Sequence, residues 1–505
     1  MEQDLELRSA VSMIINAGYQ LDREAFEFLE DASKRLDINR LVKSIIEEVS
    51  KLPNKPLLIN RELLEKKASE LWSSEAAQKS MVTGKTGFQP FAKEVEADLT
   101  VLEDPAEKLS GTGSLNEYIE YFKDRFKKLS RILNRRVDVR NAVTIVEAFK
   151  APVKSEVKII CMVTEKRESS RGIFIQVEDL EANATIFVPS NNHEVFRKGQ
   201  RLVLDQVVCF SIVKGERNFF IAKDILLPDI PMRKPNLSPT PVYAALLSDL
   251  HVGSSVFMRR SFKAFLSWLK GEIGNSHARE TAGHVKYIII AGDIVDGVGI
   301  YPQQITELEI KDIYKQYQAA AELISQIPDY IEVIMIPGNH DAVRRALPQP
   351  ALPKEYAEPL YESREIHSLG NPAYVSLNGV NVLVSHGRSL DDIISNVPGM
   401  SFQKPDDAMK FLLQCRHLSP IYGARTLIAP EKRDCLVIEN TPDIYHAGHV
   451  HRMSFSNYRG TLIVNSGAWQ GQTEYQREMG HNPNPGIAPI VNLQTLEVIP
   501  IDFSS

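Results

Sequence analysis

The segment Gly338-Asn339-His340-Asp341 places an amide, an imidazole and a carboxylate side by side. It follows the apolar run 331–336 and a Pro-Gly pair, so its side chains are expected at the end of a strand. In an open α/β sheet, ligands bind in the crevice at the ends of strands. The three side chains could therefore supply a metal ligand, a proton donor and a group that orients the donor. A surface turn is the alternative if this segment is considered alone.

Four further apolar runs lead into candidate metal ligands in the same way. They are 242–247 before Asp249 and His251, 285–290 before Asp293 and Asp296, 380–384 before His386, and 443–445 before His449 and His451. A single Asp-x-His or His-x-His pair is a weak signal. An ordered series of five such runs in one region instead indicates a shared metal site. Mixed carboxylate, imidazole and amide ligands suit manganese, iron or zinc better than a closed thiolate site.

We expect this site to hold two divalent cations, manganese first, with magnesium, iron or zinc as alternatives. Two cations about 3.5–4 Å apart need an anion between them, and Asp293 is the natural bridge. Such a pair activates water and stabilises in-line attack on a phosphate ester. His340 would then protonate the leaving oxygen, with Asp341 orienting the imidazole ring of His340.

The ordered ligand series resembles that of the calcineurin-like metallophosphoesterase superfamily. The resemblance implies one ion held by Asp249, His251, Asp293 and His451, and a second held by Asp293, Asn339, His386 and His449. His340 would assist catalysis, and every ligand of the pattern is present. The segments 293–302 and 339–353, with the order of domains, resemble more narrowly the small subunits of archaeal family D DNA polymerases.

This narrower resemblance implies a two-metal 3′→5′ exonuclease that removes misinserted nucleotides from the 3′ end of DNA. It also implies a partnership with a large catalytic DNA polymerase subunit. Two alternatives stay open, namely a non-catalytic scaffold that braces the large subunit and a stand-alone phosphodiesterase for small molecules. A barrel domain ahead of the catalytic domain favours the exonuclease and the scaffold over the third possibility.

Three arginines, Arg344, Arg345 and Arg388, lie just beyond the ligand segments. Guanidinium groups bind phosphate oxygens through paired hydrogen bonds, so these residues are candidate contacts to substrate or to the DNA backbone. Pairing with acidic side chains on the surface is the alternative for each of them.

The surrounding sequence predicts a multidomain protein that ends in a two-sheet α/β phosphoesterase sandwich at 240–505. A small helical module is predicted at 1–72 from its apolar periodicity, and a flexible linker at 73–114 from its Ser, Thr, Gly, Lys and Glu content. A helix followed by an OB-type β-barrel is predicted at 115–230. Its five strands are expected at 157–163, 172–177, 184–188, 201–212 and 218–222.

Composition sets the class of protein. The 505 residues are 43% hydrophobic and 25% charged, as in soluble globular proteins, and the net charge of -6 excludes a generally basic nucleic-acid coat. The four cysteines lack a C-x-x-C spacing, which indicates buried thiols in a reducing compartment. No apolar run approaches the roughly 20 residues of a membrane span, and the acidic N-terminus lacks a basic signal segment. We therefore expect a cytoplasmic protein without membrane attachment.

Overall fold

The computed structural model describes residues 88–216, 219–478 and 480–504, and short parts of the first 64 residues (11, 13–14, 17, 19–32, 41–46, 58–61 and 64). The chain forms two compact units, Met1–Phe88 with Ile273–Arg279, and Gln89–Glu272 with Glu280–Ser505. Among the described residues, no helix combines the length and apolar character that a membrane span requires.

The described part of the first unit is a small helical core. It contains the helix Arg23–Ala32, helical residues at 41–46, and the short parallel strands β1 (Gln20–Leu21) and β2 (Leu58–Ile59). Apolar side chains from these pieces, including Ile14, Leu29 and Leu41, bury one another. The other residues of the module predicted at 1–72 lie outside the described residues.

The structure corrects the second half of the linker predicted at 73–114. Residues 73–87 lie outside the described residues, but Leu99–Glu103 form a strand, β3, that pairs antiparallel with Ala373–Leu377. This strand is a short edge strand and is largely exposed, although Leu99, Val101 and Leu102 are apolar. Val95, Ala97 and Leu99 nevertheless pack against the core between the two large sheets.

A closed five-stranded barrel follows the long helix Leu115–Asn134 and the short helix Ile145–Lys150. In β5 and β6 every second residue is buried, as in Ile173, Ile175 and Val177, which explains their alternating sequence pattern, whereas β7 is buried along nearly its whole length. The sequence did not predict the helix His193–Gln200 between the third and fourth strands. The strands are β4 (Glu156–Ser169), β5 (Gly172–Glu178), β6 (Asn183–Pro189), β7 (Val207–Lys214) and β8 (Phe220–Leu226), paired in the closed order β4-β5-β6-β8-β7.

Two six-stranded sheets build the C-terminal part of the second unit. The first has the order β12-β11-β10-β9-β18-β19, and the second has the order β16-β17-β15-β14-β13-β3. Their strands are β9 (Tyr243–Leu247), β10 (Val285–Ala291), β11 (Glu332–Ile336), β12 (His367–Ser368), β13 (Ala373–Leu377), β14 (Val380–Val384), β15 (Ile444–Ala447), β16 (Ser454–Tyr458), β17 (Thr461–Asn465), β18 (Ile487–Asn492) and β19 (Val498–Asp502).

The two sheets share one apolar core, to which β9, β10 and β11 contribute from one side and β13, β14, β15 and β17 from the other. The predicted two-sheet arrangement is thus present. The other described helices of this C-terminal part are Arg259–Leu269, Ile313–Ile324, Lys354–Ser363, Leu390–Asn396, Pro405–Cys415 and Glu474–Glu478, and the helix Ser276–His284 contains residues of both units.

A buried charge network ties the long helix Leu115–Asn134 to the region that follows the helix Pro405–Cys415. Arg125 is fully buried and donates to the Asp434 carboxylate at 2.8 Å and to the Pro420 carbonyl at 2.7 Å. His417 lies 2.8 Å from the same carboxylate oxygen. An unpaired charge at this depth would cost several kcal/mol, so the three side chains fix the helix against the rest of the unit.

Candidate metal centre

The predicted ligand segments all follow strand ends, as the sequence indicates. Strands β9, β10 and β11 are parallel neighbours, and so are β14 and β15, so within each sheet their C-terminal ends lie at one edge. Asp249, Asp293 and Asn339 follow the first three strands, while His386 and His449 follow the other two. The two sheets thereby bring distant parts of the chain to one site.

The backbone is bent unusually at several of these positions. Left-handed φ angles occur at Asp249 (53°), His251 (53°), Asp293 (52°), His449 (70°) and His451 (57°). Residues other than glycine adopt this conformation rarely, at a cost of about 1–3 kcal/mol each, and they do so mostly at functional sites. These left-handed turns therefore direct the ligand side chains into one space.

A first group of donor atoms comes from Asp249, His251 and His451. Asp249 Oδ1 lies 3.3 Å from His451 Nε2 and 3.7 Å from His251 Nε2, and the two imidazole nitrogens are 3.0 Å apart. All three side chains are buried. Asp249 Oδ1 accepts no hydrogen bond from any described residue, which is unusual for a buried carboxylate oxygen. Its free lone pairs and the two facing nitrogens fit a cation.

A second group comes from Asp293, His386 and His449. The side-chain oxygen of Asn339 joins it, 3.0 Å from His386 Nε2. Asp293 Oδ2 lies 3.3 Å from His386 Nε2 and 3.7 Å from His251 Nε2 of the first group. A single carboxylate oxygen therefore faces both groups, the position that a bridging ligand occupies between two cations.

Two glycines allow the turns to approach these carboxylates. A methyl group at Gly338 would collide with the Asp293 carboxylate, and one at Gly448 would collide with the side chains of Asp249 and Ser248. The backbone is thus in direct contact with both acidic ligands, and only glycine leaves room for them.

The site is strongly acidic in character. Burial favours the neutral form of His251, but the carboxylates of Asp249 and Asp296 outweigh it and raise its pKa to about 10. Burial likewise opposes the charge of His386, and Asp293 raises its pKa to about 9. The pKa of Asp293 is held far below its usual range by His386, against the effect of burial. Clustered carboxylates thus stabilise positive charge here, as a cation-binding site requires.

His340 lies beside this site with its imidazole ring fixed. Nδ1 is 2.7 Å from the Asp296 carbonyl oxygen, to which it donates, and Nε2 is 4.0 Å from Asp293 Oδ2. Burial is the main cause that lowers the pKa of His340 to about 4, so the ring is neutral near pH 7. Its Nε2 lone pair is therefore the atom available for proton exchange.

The expectation that Asp341 orients the His340 ring is wrong. The Asp341 carboxylate turns away to accept hydrogen bonds from Gly338 N (2.9 Å), Tyr317 Oη (3.2 Å) and two backbone N–H groups of the loop after β10 (3.3 and 3.4 Å). Those N–H groups are buried and need an acceptor. Asp341 therefore shapes the loops of the site, while the Asp296 carbonyl orients His340.

The sequence analysis named Asp296 among the candidate ligands without giving it a role, and it missed the two glutamines that contact Asp296. Asp296 Oδ1 accepts from His251 Nδ1 at 2.9 Å and from Gln470 Nε2 at 2.9 Å, while Gln304 donates to its other oxygen at 3.2 Å. The sequence pattern that indicated Asp296 was its position three residues after Asp293. No motif in the sequence indicates the two glutamines, since Gln304 follows Asp296 by 8 residues without a recognisable pattern and Gln470 lies 174 residues from Asp296.

Two further contacts involve the histidines of the last ligand segment. Asp391 Oδ2 lies 3.1 Å from His449 Nε2, and Gln476 Nε2 lies 2.9 Å from His451 Nδ1. Both partners come from other helices, Leu390–Asn396 and Glu474–Glu478. Contacts of this kind set which ring nitrogen of a ligand carries the proton.

The three arginines differ in availability. Arg344 forms an ion pair with the buried Glu431 at 2.8 Å and donates to the Pro348 carbonyl at 2.9 Å, so its guanidinium is occupied, contrary to the phosphate-binding interpretation. Arg345 is exposed and only reaches backbone carbonyl oxygens at 3.4–3.5 Å. Arg388 is half-buried, and its guanidinium forms no hydrogen bond or salt bridge with the part of the chain that the structure describes, although its charge acts on the Asp391 carboxylate.

Comparison with known proteins places the chain in a family. The model of the B-subunit family of DNA polymerases alpha and epsilon matches residues 244–456, which include most of the site. A solved archaeal phosphodiesterase is 14% identical, with a TM-score of 0.26 over 52% of this chain and 99% of its own, a similarity too low to support an argument.

Sequence similarity to curated relatives is stronger evidence for the family than this structural similarity. The DNA polymerase II small subunit of Pyrococcus horikoshii is 41% identical over 82% of this chain and 68% of its own length. That of Methanothermobacter thermautotrophicus is 39% identical over 80% of this chain and 83% of its own. That of Archaeoglobus fulgidus is 38% identical over 96% of both chains. Because the similarity extends over nearly the whole length, this chain belongs to the family of archaeal DNA polymerase II small subunits.

Proposed function

We propose that this chain is a two-metal 3′→5′ DNA exonuclease that proofreads for a large catalytic polymerase subunit. The observation that carries the proposal is the position of Asp293 Oδ2, which faces His386 at 3.3 Å and His251 at 3.7 Å. A carboxylate between two imidazole-rich donor groups suits a pair of cations in a phosphodiesterase site. Membership in a family of polymerase small subunits supports DNA as the substrate and a large subunit as the partner.

The residues present fit two divalent cations, with manganese as the proposed ion. The first would be held by Asp249, His251, Asp293 and His451, and the second by Asp293, Asn339, His386 and His449. When bound, such a pair neutralises phosphate charge and makes water a stronger nucleophile. The mixture of carboxylate, amide and imidazole donors suits manganese, and magnesium, iron and zinc are the alternatives to be tested.

His340 is the proposed proton carrier of the reaction. Because its Nδ1 donates to the Asp296 carbonyl, Nε2 is the atom that exchanges protons. The ring is neutral at the start, so Nε2 would take up the proton that the attacking water loses and deliver it to the departing 3′ oxygen. The products are a shortened strand and a nucleoside 5′-monophosphate.

Arg388 is the proposed contact to the DNA backbone. It follows the expected ligand His386 by two residues, and its guanidinium forms no hydrogen bond or salt bridge within the described residues. A guanidinium in this state can bind a phosphate oxygen without breaking an existing ion pair. Arg345 could add a second, more exposed contact, whereas Arg344 is committed to Glu431.

The test uses the chain purified together with its large subunit and supplied with manganese. The substrate is primer DNA with a 3′ mismatch, compared with a cyclic nucleotide. We expect trimming of the mismatch, and a loss of about 10²–10⁴-fold in His340→Ala with metal content retained. The exposed histidine of the barrel helix is the matched control, and His193→Ala should trim normally.

Other outcomes identify the alternatives. A complex that polymerises normally but never trims, with or without metal, would make the chain a scaffold. Cleavage of the cyclic nucleotide alone would make it a small-molecule phosphodiesterase. Full trimming by His340→Ala would remove this residue from the mechanism.

A further inference from the structure

Three phenylalanine side chains form an aromatic row on the outer surface of the barrel. Phe174 is in β5, Phe187 lies opposite it in β6, and Phe219 directly precedes β8. The ring centroids of Phe174 and Phe187 are 4.9 Å apart, and those of Phe187 and Phe219 are 6.0 Å apart. The residue that follows each of them in the chain belongs to the buried core of the barrel, so the three rings face outward.

The aromatic row is accessible to a ligand. Phe219 is 38% exposed, and Phe174 and Phe187 are half-buried. Neighbouring rings on the outside of a small barrel contribute nothing to its interior, and exposed apolar groups that cluster in this way mark binding surfaces.

An arginine lies at one end of the aromatic row. Arg167 is the partner of Phe174 in β4, and its guanidinium carbon is 5.8 Å from the centre of the Phe174 ring. The side chain is exposed and forms no hydrogen bond or salt bridge with the residues that the structure describes. A guanidinium that lies over an aromatic face keeps its N–H groups available, so Arg167 offers donors to an anionic group beside the rings.

Two hairpin turns border the aromatic row, and a glycine allows each of them to approach it. A methyl group at Gly172, after the turn between β4 and β5, would collide with the Phe187 ring. One at Gly215, in the turn between β7 and β8, would lie 3.0 Å from the carbonyl oxygen of Phe219. The second and third strands of an OB barrel, with these two turns, form the face on which such barrels bind oligonucleotides.

Neutral polar groups continue this face beyond the rings. Gln176 and Thr185 are exposed and lie opposite each other in β5 and β6, two residues from Phe174 and Phe187. Their amide and hydroxyl groups can bond the polar edges of bases. The acidic Glu178 lies four residues from Phe174, about 13 Å away along the strand.

The charges around the aromatic row nearly cancel. Arg167 and Arg171 are exposed at this end of β4 and β5, and so are Glu165 and Glu168. A ligand held here is therefore attracted by the rings more than by the net charge. Nucleobases meet this requirement, because each has an apolar face that stacks on an aromatic side chain and a phosphate that a single guanidinium can bind.

We propose that the aromatic row and Arg167 bind unpaired nucleotides of single-stranded DNA, at a site on the barrel that is distinct from the metal centre. The bases stack on the phenylalanine rings, and Arg167 contacts one phosphate. This inference goes beyond the proposed exonuclease, because it concerns where a single strand is held and not where it is cut.

The experiment measures fluorescence anisotropy of a labelled oligo-dT of about 15 nucleotides with the full chain, in the presence of a chelator of divalent metal. Phe219→Ala should weaken binding about 5–100-fold, because one stacking surface is lost. Phe219→Trp keeps an aromatic face and should bind at least as tightly as the unmodified chain. Phe455 is the matched control, since it is 45% exposed in the edge strand β16, and Phe455→Ala should bind normally.

Arg167→Ala tests the phosphate contact. The slope of the logarithm of the affinity against the logarithm of the salt concentration should become shallower by about 0.7, the effect of one contact to a single strand. Unfolding temperatures of Phe219→Ala and Phe219→Trp should match that of the unmodified chain, which separates lost stacking from damage to the barrel.

Three results would overturn the inference. The first is unchanged binding by Phe219→Ala. The second is duplex DNA of the same length binding as tightly as the single strand, since stacking requires unpaired bases. The third is a Phe219→Ala chain that no longer co-purifies with the large subunit, which would make the aromatic row a protein contact. Because the assay contains no divalent metal, failure of the proposed exonuclease would leave these measurements unchanged.

Discussion

Acidification provides a direct test of the buried network around His417. This side chain is 1% exposed, accepts at Nδ1 from Ser419 N (3.0 Å) and donates from Nε2 to Asp434 (2.8 Å). Both ring nitrogens are therefore used in the neutral form, and a second proton would break the bond to Ser419. Burial, and next the Arg125 guanidinium, lower the pKa of His417 to about 4, although Asp434 opposes them.

Proton binding determines the direction in which the free energy of unfolding changes with pH. In the unfolded chain the pKa of His417 returns to 6.5, so between pH 6.5 and about pH 4 the unfolded chain binds a proton that the folded chain does not. The free energy of unfolding therefore falls as the pH falls through this window. The gap between 6.5 and about 4 corresponds to about 3 kcal/mol in total, of which about 2 kcal/mol is lost by pH 5.

The assay compares urea unfolding at pH 7 and pH 5 for the unmodified chain and for His417→Gln. A glutamine amide can still accept from Ser419 N and donate to Asp434, but it does not titrate. We expect the variant to lose about 2 kcal/mol less on acidification. The exposed His193→Gln is the control and should behave as the unmodified chain does. Equal losses in all three proteins would refute the neutral, buried state of His417.

Three further predictions address the site. Gly448→Ala should abolish manganese binding in calorimetry with the fold retained in circular dichroism, because the added methyl collides with the Asp249 carboxylate; normal binding would contradict this geometry. Arg344→Ala should lower the free energy of unfolding by about 1–3 kcal/mol in urea titrations, because Glu431 stays buried without its partner, while DNA affinity is unchanged. Arg388→Ala should weaken DNA binding measured by fluorescence anisotropy. The slope of the logarithm of the affinity against the logarithm of the salt concentration should become shallower by about 1, the effect of losing one phosphate contact. An unchanged slope would exclude this contact.

The strand ends could be predicted because buried parallel strands appear in the sequence as apolar runs. Every residue of β10 is buried, so apart from Lys286 the strand reads as an apolar run, and Asp293 follows it after Gly292. The run at 380–384 matches β14 at both ends, and the other runs shift by only a few residues. Since these strands are parallel neighbours, their ends had to lie together, and the ligand groups could be expected from the sequence.

Other features depend on contacts that the sequence does not show. The edge strand Leu99–Glu103 is only five residues long and largely exposed, so its apolar residues alone do not identify it, and its pairing with β13 defines it as a strand. Asp341 follows His340 directly, yet its side chain bonds the loop after β10 rather than the neighbouring ring. For Arg344 the sequence left phosphate contact and pairing with an acidic side chain as alternatives, and the acidic partner, Glu431, lies far along the chain. Gln476 likewise could be recognised as a contact of an expected ligand only in the structure, where its side chain lies beside His451.

The central claim, a pair of cations sharing Asp293, is tested most directly by anomalous X-ray scattering from crystals of the chain soaked in manganese. We expect two peaks about 3.5–4 Å apart, with Asp293 bound to both. Peaks confined to other parts of the molecule, or one ion without Asp293 as a ligand, would contradict the two-metal site and the exonuclease mechanism with it.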